Sequence, residues 1–214
     1  MGERLEKYYG RSGARVYDIT TRLSGYRGYY TTVLQAAGVK KEGRVLDVGC
    51  GTGMFSASLE RYGTYDLTGV DISPATLQFA RRNAPTASLY VGDVFDLRNA
   101  HGLDGLQADI TEKKYDLVVS AGMLEYLDTP GEALRIMLSL LKDDGMLITT
   151  TIKNNVVGYI ASKLYGFSLI EAGLLSSFQA TEIPLHFYPN VYLRTLKQSH
   201  SIRRGYVWTE PQIP

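Results

Sequence analysis

The chain has 214 residues, 44% hydrophobic and 21% charged, a length and balance that fit one globular domain with an attached lid or tail and exclude two equal cores. Lys plus Arg number 23 against 22 for Asp plus Glu, so no broad basic field exists to hold a phosphate backbone or an anionic bilayer, although a local patch stays open. Cys50 is the single cysteine, which excludes an intramolecular disulfide and a multi-thiolate metal centre.

The opening stretch MGERLEKYYGRSG is charged and lacks the apolar run of a signal peptide, and a cytoplasmic location is expected. Residues 3–37 read as helical pieces broken around Gly10 to Gly13 and at Ser24 and Gly25. From residue 44 short apolar strands alternate with helical stretches. The strands are RVLDVG (44–49), DLTGVDI (66–72), SLYVGD (88–93), YDLVVSAG (115–122) and GMLITTTI (145–152). The helical stretches between them are GMFSASLERY, SPATLQFARRN and TPGEALRIMLSLLK, with a looser segment over 95–112. Ser73 before Pro74 and Thr129 before Pro130 each place a capping hydroxyl ahead of a first-turn proline. Ala133, Leu134, Met137, Leu138 and Leu141 follow the helical period and predict one core-facing stripe. Asp104, Asp109, Asp116, Asp143 and Asp144 read mostly as loop or cap residues.

Strand, helix, strand at this spacing implies parallel strands joined by right-handed crossovers. The fold class is therefore α/β, a doubly wound, mostly parallel Rossmann-like sheet with helices on both faces and a helical lid. The apolar window VVGYIASKLYGFSLIEAGLL (156–175) is interrupted by Lys163, Glu171 and three glycines, so a transmembrane span is not expected, while a surface-seeking lid with peripheral membrane contact stays open. A helix is expected near 190–199, followed by a single strand, SIRRGYVW (201–208).

The stretch LDVGCGTG (46–53) sets three glycines at alternate positions behind the first strand. In a doubly wound sheet that turn lies at the carboxyl ends of the strands, where ligands bind. Glycine lets the backbone approach a ligand, and a helix starting near Thr52 to Met54 points its free N–H groups at the same place. A dinucleotide fingerprint requires Gly or Ala where Met54 stands, and Asp47 would repel a diphosphate. A cationic ligand carrying a small carboxylate, such as S-adenosylmethionine, fits the charges better.

At these residues the sequence resembles the class I S-adenosylmethionine-dependent methyltransferases. VLDVGCGTG is similar to their first motif, which implies cofactor contacts from Asp47, Gly49, Cys50, Gly51, Thr52 and Gly53. GVDIS (69–73) resembles the second-strand motif, whose acid, here Asp71 with Ile72 beside it, takes the ribose hydroxyls. GDVFDL (92–97) resembles the third-strand motif, whose acid, here Asp93, reaches the adenine amino group while Val94 offers a backbone N–H. YDLVVSAGMLEYL (115–127) and LKDDGMLITT (141–150) are similar to the fourth and fifth strand regions, which adds Ser120 and Ala121 to the cofactor contacts. The resemblance covers residues 40–152 and is specific as a set. Independently of it, Asp71 follows the glycine turn by about 20 residues, the spacing at which a βαβ unit brings an acid to a ribose; each Asp also has the plainer reading of a cap for the following helix.

The resemblance further implies an N-terminal helical cap over 1–37, a cofactor-binding domain over 38–214 and a lid insert over about 153–190. The cap and the insert are rich in aromatics, with Tyr8, Tyr9, Tyr17, Tyr26, Tyr29 and Tyr30 in the first. Collectively they point to a small organic or lipid-like acceptor, although each alone reads as packing. Tyr9, Tyr17, Tyr126 and His186 are the expected substrate contacts. No catalytic base is fixed by the sequence. Tyr126 occupies the place where many relatives carry histidine, and either lines the pocket or packs; His186 resembles a segment of the ubiquinone-biosynthesis-type methyltransferases and is the other weak candidate. Cys50 reads as filler inside the turn, and His101, His186 and His200 show no metal-ligand spacing.

The expected activity is methyl transfer from S-adenosylmethionine to an O, N or C atom of such an acceptor. An RNA or protein methyltransferase is the alternative; a basic patch from Arg194, Lys197, Arg203 and Arg204 would serve RNA, but SAGM stands where base-amine methylating relatives carry an N-P-P-Y-like tetrapeptide. A non-catalytic cofactor-binding module is the third reading.

Overall fold

The computed structural model describes residues 10–23, 26–152, 181–183 and 191–197. Among them the elements run α1 (Arg11–Leu23), α2 (Tyr26–Ala36), β1 (Glu42–Val48), α3 (Met54–Tyr62), β2 (Thr64–Asp71), α4 (Pro74–Asn83) and β3 (Ser88–Val91). There follow β4 (Ala100–Gly102), β5 (Gln107–Ala108), β6 (Tyr115–Ala121), α5 (Pro130–Ser139), β7 (Leu141–Ile152), β8 (Thr181–Ile183) and β9 (Val191–Lys197). One sheet takes all nine strands in the order β5-β4-β3-β2-β1-β6-β7-β9-β8.

Its centre, β3-β2-β1-β6-β7, is parallel. The chain builds outward from β1 to β3 on one side and resumes beside β1 with β6, so the carboxyl end of β1 is the switch point where such sheets bind ligands. The apolar runs VLDV and LVVS explain why these strands are central: Val45, Leu46, Val118 and Val119 are fully buried, as strands covered on both faces must be. On one face Leu46, Val118 and Leu147 pack beneath Leu134 and Met137 of α5. On the other, Val45, Val119 and Ile148 pack against Val33 and Leu34 of α2 and Phe55 and Leu59 of α3.

Several expectations from sequence need correction. Residues 191–197 form β9, antiparallel to β7, in place of the helix expected near 190–199; the alternation in VYLRTLK fits a sheet strand once a neighbour supplies the ladder. β8 lies inside the span assigned to the lid insert. The helical stretch expected to run through residue 142 stops at Ser139, and Leu141 joins β7 opposite Tyr115, with a register irregularity before Leu117 pairs Met146. In α1 the helix passes through Gly13 without the expected break and starts at Arg11. Ser73 caps α4 by accepting from the Thr76 N–H at 3.3 Å, but Thr129 makes no such cap: its hydroxyl donates to Glu132 Oε2 at 3.3 Å. The looser segment holds two short 3₁₀ turns and the antiparallel edge strands β4 and β5. The 201–208 strand lies outside the described residues, as do residues 153–180 of the insert.

Candidate functional site

The glycine turn directly follows β1 and is tied to β2 through its backbone. The Gly49 and Cys50 N–H groups both donate to Val70 O of β2, at 2.8 and 3.1 Å, and Gly53 N donates to Cys50 O at 2.8 Å. Gly49, Gly51 and Gly53 all hold positive φ, at 73°, 53° and 75°. A Cβ on Gly53 would stand 2.8 Å from Ala80 Cα, and one on Gly49 would stand 2.7 Å from Met123 Cγ. Two of the three positions therefore need glycine for space as well as for conformation. Gly53 then caps α3, and Ala57 N donates to Gly53 O at 2.8 Å.

Asp71 ends β2 and ties this turn down. Its Oδ2 accepts from Gly51 N at 2.8 Å, and its Oδ1 accepts from Ser73 N at 2.9 Å and from Thr76 Oγ1 at 3.1 Å. The cap reading of this residue is therefore met, and these three bonds do not exhaust a carboxylate's acceptor capacity of about four. Burial raises the Asp71 carboxyl above its ordinary value, opposed by the Ser73 and Gly51 N–H groups and the Thr76 hydroxyl.

Asp47 lies one layer beneath. It is 1% exposed, and its Oδ2 accepts from Ser56 Oγ at 2.6 Å. Burial pushes its carboxyl up to about 7, the Ser56 hydroxyl works downward, and the neighbouring Asp71 charge works upward. Neither Asp47 nor Asp71 has a cationic side chain in ion-pair contact among the described residues. Cys50 is buried among Leu77, Ala80 and Leu89. Burial, then the charges of Asp47 and Asp71, hold its thiol well above the ordinary value, which is the reverse of what a nucleophilic thiolate needs.

One cleft, open to solvent, collects much of this set at the carboxyl ends of β1, β2, β3 and β6. Of the residues singled out from sequence, Gly49, Gly51, Asp71, Ile72, Asp93, Val94, Ala121, Tyr17 and Tyr126 line it. Asp47, Cys50, Thr52, Gly53 and Ser120 do not; they support the wall from behind, and Ser120 and Thr52 are at most 1% exposed. Asp93 Oδ1 accepts from Phe95 N at 3.0 Å, so this acid shapes its own loop as well as facing the cleft. Ile72 is 47% exposed, an apolar face offered at the opening.

Tyr9 and His186 lie outside the described residues. Tyr29 and Tyr30, counted among the cap aromatics, are buried instead: Tyr30 sits 4.7 Å from the Phe55 ring and 5.0 Å from Tyr29, in the core beneath α2. Of the cap tyrosines in the described helix α1, it is Tyr17 that enters the cleft. Phe95, Gly122, Met123 and Leu127 are further wall residues that sequence reasoning misses. A glycine directly after β6, Gly122, is the sequence signal for this second turn, and it holds a positive φ of 69°.

The comparisons agree with this geometry. Ubiquinone biosynthesis O-methyltransferase from Serratia proteamaculans is 31% identical over 128 residues, covering 60% of this chain and 50% of that protein, so the chain spans about half the length of this relative. Among solved structures, a TehB-like SAM-dependent methyltransferase from Corynebacterium glutamicum superposes with a TM-score of 0.62 at 19% identity, covering 87% of this chain and 98% of that one. The N-methyltransferase NodS from Bradyrhizobium japonicum, in complex with S-adenosyl-L-homocysteine, gives 0.60 at 17% identity, covering 80% and 86%. At those identities the likeness establishes the shared fold. A family model described as a methyltransferase domain matches residues 23–189, which is most of the chain, and the protein therefore belongs to the methyltransferase-domain family.

Proposed function

We propose that the protein binds S-adenosyl-L-methionine in the cleft and transfers its methyl group to an O, N or C atom of a small organic or lipid-like acceptor. The observation that carries the reading is the convergence of Gly49, Gly51, Asp71, Ile72, Asp93 and Val94 on one cleft at the switch point of the sheet. Asp47, buried, and Asp71, half-buried beside the cleft, have no cationic partner among the described residues, which favours a cationic ligand and disfavours a diphosphate. Asp71 Oδ2 accepts one hydrogen bond, from Gly51, and retains capacity for a ribose hydroxyl. The residues present therefore fit the cofactor.

S-adenosylmethionine supplies an activated methyl carbon on a sulfonium. The chain's own part is to bind, orient and exclude water. Asp71 would hold the ribose, Ile72 would lie against the purine, and Asp93 with the Val94 N–H would take its polar edge. The glycine turn, with Ala121 and Gly122 of the β6 end, would then face the amino-acid end. Tyr17, opposite Gly51, would border the amino-acid end and, with Met123 and Tyr126, the side from which an acceptor approaches. The name of a relative supports a small-molecule acceptor: an O-methyltransferase of ubiquinone biosynthesis.

Cap and lid roles for residues 1–37 and about 153–190 belong to the same proposal; α1, which places Tyr17 in the cleft, supports the first. Among the described residues no helix is long and apolar enough to cross a membrane. We also assign the reaction to the cytoplasm; recovery outside the cell on fractionation would overturn that assignment.

Calorimetric titration with S-adenosylmethionine and S-adenosylhomocysteine, with NAD as control, tests the cofactor, and a preference for NAD would overturn it. Transfer of a labelled methyl group into fractionated extract then separates acceptors. Label in the lipid or small-molecule pool is the expected result; label in RNA or protein would overturn the acceptor class.

A further inference from the structure

The amide of Asn83 stands where three elements meet. Its Nδ2 donates to Asp18 Oδ1 of α1 at 2.7 Å and to Thr52 O of the glycine turn at 2.8 Å, while its Oδ1 accepts from Arg22 Nη2 at 2.5 Å. Arg22 Nε closes the ring onto Asp18 Oδ2 at 2.9 Å. Asp18 is 5% exposed, so its carboxylate depends on these donors for solvation. The preceding residue in the same helix is Tyr17, which lines the cleft with Cε1 3.9 Å from where a Gly51 Cβ would stand.

The consequence is mechanical. A single side chain at the end of α4 holds α1 through Asp18 and Arg22, and holds the turn through the Thr52 carbonyl. Tyr17 and Gly51 face each other across the cleft between the two grips. Loss of the Asn83 amide leaves the buried Asp18 carboxylate held by Arg22 and removes the tie between α1 and the Thr52 carbonyl.

Resting on the cofactor assignment above, we propose that Asn83, with Asp18, is a positioning residue that sets Tyr17 over the glycine turn and thereby selects ligands carrying the amino-acid end of the cofactor. It touches no ligand itself; it acts through Tyr17 and the Thr52 backbone. The chemistry selected is an adenosyl thioether bearing a free α-amino acid, against the same adenosyl thioether without one.

The test compares S-adenosylhomocysteine with 5′-methylthioadenosine by calorimetry, on the full chain and on Asn83→Ala and Asp18→Asn. In Asn83→Ala the affinity for S-adenosylhomocysteine should fall about 5- to 20-fold, the range set by losing a hydrogen bond to a charged group, partly transmitted. Methylthioadenosine affinity should stay within about twofold, since nothing in its adenosyl contacts involves α1. Asp18→Asn, which keeps the shape and reaches the same carboxamide, should show the same selectivity at smaller size and serves if Asn83→Ala does not fold. Equal weakening of both ligands, or weakening of neither, would overturn the proposal while the cofactor assignment stands. Failure of the unmutated chain to bind either ligand would overturn the cofactor assignment, and this inference with it.

Discussion

The two ends of the sheet carry acids in opposite states. At the amino end of β6, Asp116 accepts from Lys142 Nζ at 2.8 Å and from the Arg44 N–H at 2.7 Å. Burial pushes its carboxyl up, and the Arg44 N–H and Lys142 more than reverse this, leaving it below the ordinary value. At the carboxyl end, Asp47 and Asp71 are held above theirs, because burial removes water and no cation among the described residues replaces it. One end is neutralised within the fold. The other leaves Asp47 and Asp71 without a cation among the described residues, a perturbation of the kind that clusters at functional sites.

The contrast is sharpest in its dependence on pH. For Asp47 the folded carboxyl, at about 7, lies above its unfolded value of 3.8. Between those values the folded state keeps a proton that the unfolded state releases, so stability falls as pH rises through the window and the full penalty is present above 7. A rise from 3.8 to about 7 corresponds to a penalty on the order of 4 kcal/mol. Asp47→Asn should remove this slope and raise the melting temperature of the ligand-free protein at pH 8, read by thermal denaturation from pH 5 to 8. An unchanged slope would show that Asp47 titrates normally and that the two ends are alike.

Next in size is Gly53→Ala. The new Cβ meets Ala80 Cα at 2.8 Å, a backbone atom that cannot rotate away, at a φ of 75°. Left-handed strain and overpacking together cost about 2 to 4 kcal/mol, measurable by urea denaturation. Gly43→Ala at the other end meets Asp116 Oδ2 at 3.0 Å and has a φ of 127°, so it too is strained, but its loss should leave cofactor affinity intact.

Much of this asymmetry is legible in the amino-acid sequence alone. The alternation of strands and helices implies the parallel centre, and the motifs place Asp71, Asp93 and the glycine turn on one edge, because each is a local signal: a strand end, a turn, a cap. What stays hidden depends on partners distant in sequence. Asp116 reads as a loop or cap residue because nothing nearby announces that Lys142 will pair with it. Leu141 fits a helical stripe until its strand pairing with Tyr115 takes precedence. VYLRTLK reads as helix because strand propensity expresses a neighbour, and β7 is about 40 residues away. Tyr17, Tyr29 and Tyr30 are the same residue type on two successive helices; their separation into a cleft residue and two core residues follows from helix orientation alone.

Asp71→Ala should weaken S-adenosylmethionine binding by about 1.5 to 3 kcal/mol, the worth of charge-assisted hydrogen bonds. Part of that loss is indirect, since the Gly51 N–H loses its acceptor and the turn its tie. Asp71→Asn keeps one acceptor oxygen for Gly51 and should recover part of the affinity. Calorimetry showing no loss in either variant would remove Asp71 from the site.

The smallest effect lies at the neutralised end. Lys142 and Asp116 have side chains 42% and 35% exposed, so water screens their pairing and its worth is at most about 1 kcal/mol. Lys142→Met should lower stability by no more than that, and by less as salt is raised. Because the Asp116 carboxyl sits below its ordinary value, its contribution is present above the unfolded value and disappears as pH falls through the folded one, on the acid side and opposite in sense to Asp47. Cofactor affinity should stay within about twofold, since the ion pair lies at the far end of the strands from the cleft. A larger change in affinity would mean that charge at one end of the sheet is felt at the other, and the division between scaffold and site would fail.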